Sequence, residues 1–163
     1  MLETSVSLYA GAFPRLVVVL RPEDRRLADD VAAAGGRTRV EIIYCSEAIQ
    51  GMGHSLAAGA RAAADWRYLF VALADMPWIR AETLTLLRQE MESRPADTII
   101  VPTFEGRPGH PVGFGARYLP RLAALSGDAG ARQVILTAAD RVDRVAVADP
   151  GVVKDLDTPP AND

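Results

Sequence analysis

Residues 68–77 read Tyr68-Leu69-Phe70-Val71-Ala72-Leu73-Ala74-Asp75-Met76-Pro77. Seven apolar or aromatic residues in an unbroken run, without polar alternation, form the pattern of a strand covered on both faces. Such a strand is expected near the centre of a sheet, and Pro77 keeps it from continuing. The run therefore delivers one carboxylate, Asp75, to the carboxyl end of a buried strand. In open α/β sheets that is where ligands bind.

Working outward, the same rhythm repeats. Leu16-Val17-Val18-Val19-Leu20, stopped by Pro22, and Val40-Glu41-Ile42-Ile43-Tyr44 read as strands upstream. Thr98-Ile99-Ile100-Val101, between Pro95 and Pro102, and residues 142–147 read as strands downstream. Helical stretches separate them. Residues 23–34 carry Leu27 and Val31 four apart and end at Gly35-Gly36, an ordinary helix stop. Residues 55–65 are rich in alanine, and a helix after Pro77 places Leu84, Leu87 and Met91 on one side to about residue 93. Shorter helices are expected near 116–125 and 129–139, and residues 4–13 read as a helix or a connection. Strands alternating with helices predict one domain over residues 1–163, a three-layer α/β/α sandwich on a mostly parallel sheet.

Bulk properties narrow the function. A 49% hydrophobic and 24% charged composition excludes a disordered chain. The net charge of −3 gives no reason to expect nucleic acid as a partner. No apolar stretch approaches the roughly 20 residues that span a bilayer, and the first residues lack a signal-peptide pattern, so no membrane partner and a cytoplasmic location are expected. Cys45 is the single cysteine, which precludes an intrachain disulfide and fits a buried thiol at a strand end. Lys154 is the single lysine; arginine supplies the remaining positive charge.

Five clusters that follow strands carry candidate chemistry. Asp75 suits a hard divalent cation such as Mg²⁺, which takes oxygen ligands and shares them with phosphates; it equally suits a turn that bonds its own backbone. Gly51-Met52-Gly53-His54-Ser55 precedes a helix, where glycines admit close approach and free N–H groups face outward. The alternative there is a tight turn capped by Ser55, with His54 in an exposed loop. Arg107-Pro108-Gly109-His110-Pro111 presents an imidazole on a restricted backbone. Ser126-Gly127-Asp128-Ala129-Gly130-Ala131-Arg132 begins a helix, with Arg132 able to meet an anion or pair with a local acid. In Lys154-Asp155-Leu156-Asp157-Thr158-Pro159, two aspartates one residue apart share a side if the segment is extended. One of them can complete a metal site with Asp75, or the segment can be an acidic tail.

In order and spacing these clusters resemble the MobA/MocA-like nucleotidyltransferases, especially the cytidylyltransferase type that acts on molybdenum pterin cofactors. The likeness runs from about Leu16 to Thr158. It implies a Rossmann-like domain of the nucleotide-diphospho-sugar transferase type that moves a nucleoside monophosphate from an NTP, most readily CMP from CTP, and releases pyrophosphate. It implies Asp75 and Asp157 as catalytic residues holding Mg²⁺, with Asp155 the less favoured second ligand. Gly51, Met52, Gly53 and Ser55 would line the nucleotide pocket. Gly109, His110, Pro111 and Arg132 would meet the molybdopterin-type acceptor, and a molybdoenzyme would be a client.

The chain departs from that family at one place. The family opens with a strand and a glycine-rich loop bearing arginine and lysine, and here only Gly11 precedes Leu16. The expectation is an N-terminally incomplete domain whose exposed sheet edge is covered by a homodimer or by rearrangement. A relative that binds a nucleotide, a cofactor or a partner without turnover is the rival reading, as is transfer to another small phosphorylated acceptor.

Overall fold

In a computed structural model, which describes residues 1–154, strands β1 (Arg15–Leu20) and β2 (Arg39–Tyr44) pair in parallel, Leu16 beside Val40 and Val18 beside Ile42. They form a two-stranded sheet of their own. A second sheet holds β3 (Tyr68–Val71), β4 (Ile99–Phe104), β5 (Arg107–Pro108), β6 (Val112–Gly115) and β7 (Val142–Ala146). β4 runs through its centre, parallel to β7 on one side and antiparallel to β5 and β6 on the other. β6 then pairs antiparallel with β3. The α/β layering is as expected, and the sheet is mixed.

Among the described residues six α-helices cover these sheets: α1 (Leu2–Ala12), α2 (Ala28–Ala34), α3 (Met52–Ala62), α4 (Ala81–Glu92), α5 (Leu119–Ala123) and α6 (Arg132–Thr137). The expected helix over 23–34 is split. Pro22 starts a 3₁₀ turn through Leu27, and only its second half is α-helical. The helix expected from Ser55 begins three residues earlier, so His54 and Ser55 lie in its first turn and neither is a loop residue.

The core sits around β4 and β6. Ile99, Ile100 and Phe114 are fully buried against Leu87 and Leu122. Alternate residues of β3 face opposite layers. Leu69 and Val71 pack toward α3 and α5, while Phe70 meets Phe13, the residue just after α1, with ring centroids 5.2 Å apart. That explains why the run is apolar on both sides. The strand nevertheless lies at the edge of its sheet, because helix coverage, rather than a second strand neighbour, makes it apolar.

Helix α1 links the two sheets. The Ser5 hydroxyl donates to the carbonyl of Ala74 at 2.8 Å, and the Thr38 hydroxyl donates to the carbonyl of Ala10 at 2.8 Å. Among the described residues no helix is long and apolar enough to cross a membrane. Cys45 is buried directly after β2.

Candidate active site

Asp75 lies in the turn that follows β3, half-buried, with its neighbours anchored. Met76 and Ile79 are buried with Leu84 and Val152, so the turn is fastened to the core on both sides of the exposed Trp78. A second aspartate fixes its far end. Asp149 is 2% exposed, and its carboxylate accepts from the backbone N–H of Arg80 at 2.8 Å, the Thr83 hydroxyl at 2.7 Å and the N–H of Gly151 at 2.9 Å. It thereby joins the start of α4 to the 3₁₀ turn Pro150–Val153.

That turn also holds the histidine loop. The N–H of His110 donates to the carbonyl of Val152 at 2.8 Å. Gly109 is required here because a Cβ would strike the Val152 carbonyl. Between the pairs Thr103–Pro108 and Ile100–Gly113, the β5–β6 segment uses two more residues than β4, so His110 and Pro111 form a bulge that turns the imidazole out of the ladder. Three loops thus meet around Asp75, His110 and Trp78, with the Lys154 ammonium 4.9 Å from the centre of the Trp78 ring.

The Asp75 carboxylate acts on His110. Burial pushes the His110 imidazole below its usual pKa, and the negative charge of Asp75 partly opposes that shift. The same carboxylate acts on Tyr9 of α1, whose phenol is raised first by burial and then by Asp75. Among the described residues no side-chain hydrogen bond or ion pair engages the Asp75 carboxylate, in contrast to Asp149. None of the described residues therefore fills its oxygens.

The glycine cluster has a different setting. The N–H of Gly53 donates to the carbonyl of Gly127 at 2.8 Å, and a Cβ on Gly53 would lie 2.6 Å from the carbonyl oxygen of Ala129. Gly51, at φ 133°, presses against the backbone of Gly127 as well. Two clusters separated by some 75 residues of sequence are therefore one backbone-to-backbone contact, and both glycines have a packing reason to be there. Met52 and Ser55 remain accessible at the mouth of the cavity between β1 and β3. Arg132 is exposed at the start of α6 and makes none of the ion pairs among the described residues. Asp155 and Asp157 lie outside the described residues, as do Thr158 and Pro159.

Sequence reasoning missed Tyr9, Trp78 and Asp149. The first two carry no motif. Asp149 had a readable signal, since Asp149-Pro150-Gly151 is a turn-forming triplet whose carboxylate can bond the N–H two residues on.

The MobA-like NTP transferase domain model matches residues 1–144. This chain belongs to that family. Among curated proteins, the purine catabolism protein PucB of Bacillus subtilis (strain 168) is 30% identical over 124 residues, which are 74% of this chain and 58% of PucB. The chain thus spans less than two thirds of that relative's length. Among solved structures, Rv0371c of Mycobacterium tuberculosis H37Rv superposes with a TM-score of 0.67 at 24% identity, covering 90% of this chain and 73% of Rv0371c. Rv0371c has also been solved in complex with manganese. A nucleotidyl transferase from Methanothermobacter thermautotroptrophicus gives a TM-score of 0.68 at 18% identity, covering 94% of this chain and 72% of the transferase. These superpositions place the MobA-like chain in the nucleotidyltransferase fold.

Proposed function

We propose that this chain is the nucleotide- and acceptor-binding body of a nucleotidyltransferase, one that moves a nucleoside monophosphate from an NTP to a phosphorylated small molecule. The observation that carries the reading is the pairing of an unengaged Asp75 with a half-buried His110 on loops at the carboxyl edge of the sheet. Membership of the MobA-like NTP transferase family supports it.

A divalent cation fits the residues present in a limited way. Asp75 offers a free carboxylate, whereas Asp149 has its oxygens filled by three donors. Among the described residues no group of three or more His, Cys, Asp or Glu side chains could hold a metal. One or two carboxylates with phosphate oxygens and water are what Mg²⁺ ordinarily uses. Asp75, with Asp157 as the proposed second ligand, would hold Mg²⁺, which supplies charge neutralisation on the triphosphate. The manganese complex of Rv0371c lends support to a divalent site.

The acceptor phosphate attacks the α-phosphorus in line, a new oxygen–phosphorus bond forms, and the bond to the departing pyrophosphate breaks. No protein nucleophile is required. Met52 and Ser55, at the start of α3, would contact the nucleotide, and Gly51 and Gly53 would hold that helix start in place. His110, kept neutral near pH 7 by burial, can donate or accept one hydrogen bond to the acceptor without adding charge. Arg132 would supply a cation to it. In our reading the nucleotide is CTP and the acceptor a molybdopterin-type cofactor, in keeping with the resemblance of Gly109-His110-Pro111 to that branch.

A second reading is binding without turnover, since Asp75 and His110 can hold a phosphorylated ligand with or without a transfer step. Calorimetric titration with CTP, GTP and ATP, with and without Mg²⁺, together with pyrophosphate release, separates the two. Micromolar, Mg²⁺-dependent binding of one nucleotide that is lost in Asp75→Asn is the expected result. Binding without pyrophosphate release selects the second reading. Absence of binding to all three rejects both.

A further inference from the structure

An exposed tryptophan alone is ordinary surface, but the setting of Trp78 is not. Met76 and Ile79 on either side of it are buried, while Trp78 itself is 44% exposed. The backbone beneath the ring is fixed. A Cβ on Gly151 would lie 2.4 Å from the Trp78 carbonyl oxygen, so the turn Pro150–Val153 packs directly on this residue. The Asp149 carboxylate ties that turn to the start of α4, accepting from the N–H of Gly151 at 2.9 Å and of Arg80 at 2.8 Å. The indole is thus displayed on a pinned backbone, and tryptophan has only two side-chain torsions left to settle.

One neighbour shows what the ring face accepts. The Lys154 ammonium stands over it, 4.9 Å from the ring centre. The face of an indole carries the negative end of a quadrupole, so it attracts cations and electron-poor flat heterocycles alike. A cation over an exposed ring contributes roughly two- to fivefold in an equilibrium constant. Stacking of a planar base on an aromatic side chain contributes roughly five- to a hundredfold. A flat ring therefore displaces the ammonium, whose flexible four-carbon stem lets it move aside. A sugar or polyol has no π face and gains nothing comparable.

The ring also stands within the candidate site. Asp75 lies upstream in the same turn, and the N–H of His110 donates to the carbonyl of Val152 at 2.8 Å. The histidine loop and Trp78 therefore rest on adjacent residues of one 3₁₀ turn. Met52 and Ser55, assigned above to the nucleotide, line the cavity between β1 and β3, which Trp78 does not. Resting on the nucleotidyltransferase reading, we propose that Trp78 is the specificity-determining residue of the acceptor subsite. Its indole exchanges the Lys154 ammonium for the flat, fused heteroaromatic ring of a phosphorylated acceptor, and so selects such acceptors over sugar or polyol phosphates.

Calorimetry without nucleotide tests this, with hydroxymethylpterin phosphate as the flat probe and ribose phosphate as the saturated one. The native chain should bind the pterin at least about tenfold more tightly than the sugar. Trp78→Leu should bring the two within about twofold, whereas Trp78→Phe, which keeps a π face, should retain a preference of about threefold or more. On the native chain the pyrazine-ring proton of the pterin should move upfield by NMR, a ring-current effect that needs no variant to fold. No binding of the pterin, no preference over ribose phosphate, an unshifted proton, or a preference that survives in Trp78→Leu overturns the proposal. So does a loss in Trp78→Phe as complete as in Trp78→Leu. CTP with Mg²⁺ is titrated separately into both the native and the Trp78→Leu chains. A CTP affinity that falls as far as that for the pterin would put the nucleobase on the indole and overturn the acceptor assignment. Failure of the native chain to bind any NTP rejects the transferase reading instead, and the ring preference is still measured on its own.

Discussion

The two halves of this molecule are built from similar apolar strands yet are held in opposite ways. In β4, Ile99, Ile100 and Thr103 find strand partners on both sides; Ile99, Ile100 and Phe114 have no exposed surface. β1 is as rich in valine, but its residues are only half-buried apart from Leu20, because one edge faces the cavity. Composition makes a strand; neighbours make it a core.

The comparison breaks most visibly at Phe114. Phe114→Ala removes a ring from the densest part of the interior and should lower stability by about 3–5 kcal/mol, read as a loss of urea midpoint with unchanged slope. Asp149→Ala comes next, at about 3 kcal/mol, because three donors lose one buried charged acceptor. It should also free the Asp75 turn from α4, seen as faster exchange at the amides of Arg80 and Gly151. Val18→Ala, on the cavity side of the molecule, should cost only about 1 kcal/mol, since a half-buried valine yields part of its transfer energy. A loss as large as that for Phe114 would show that the two-stranded half is packed as tightly as the five-stranded one.

The gentlest test uses pH. Burial lowers the His110 pKa in the folded state, so the unfolded chain takes up the proton first as pH falls below about 6.5. Stability is therefore full above that value and declines through the window between the unfolded and folded pKa. His110→Gln should flatten that slope. Asp75→Asn, which removes the opposing negative charge, should move the imidazole lower still, as an NMR titration of His110 would record.

Much of this was legible in the chain itself. β1, β2, β4 and β7 stand where β-branched runs placed them, because such side chains fit a pleated surface between helices. β6 was not legible. Gly113 and Gly115 interrupt its apolar pattern, and both are there for contacts made far away in sequence, with the ring of Phe70 and the carbonyl of Ala96. Pro102, read as the end of a strand, lies inside β4 and accepts from Gly109 through its carbonyl. In the site, Asp75 and His110 were found as motifs, whereas the contact of Gly51 and Gly53 with Gly127 was not, since spacing records which residues recur and never which backbones touch. The edge position of β3 was equally hidden, for apolar faces report the helices around a strand and are silent about its hydrogen-bonding neighbours.

Helix α1 carries a practical consequence. Its two side-chain-to-carbonyl bonds bridge 69 and 28 residues of sequence and join both sheets through its short length. A purification tag or reporter fused ahead of Met1 would therefore pull on the joint between the halves, so stabilities and binding constants measured with an N-terminal fusion would report on the handle as much as on the protein.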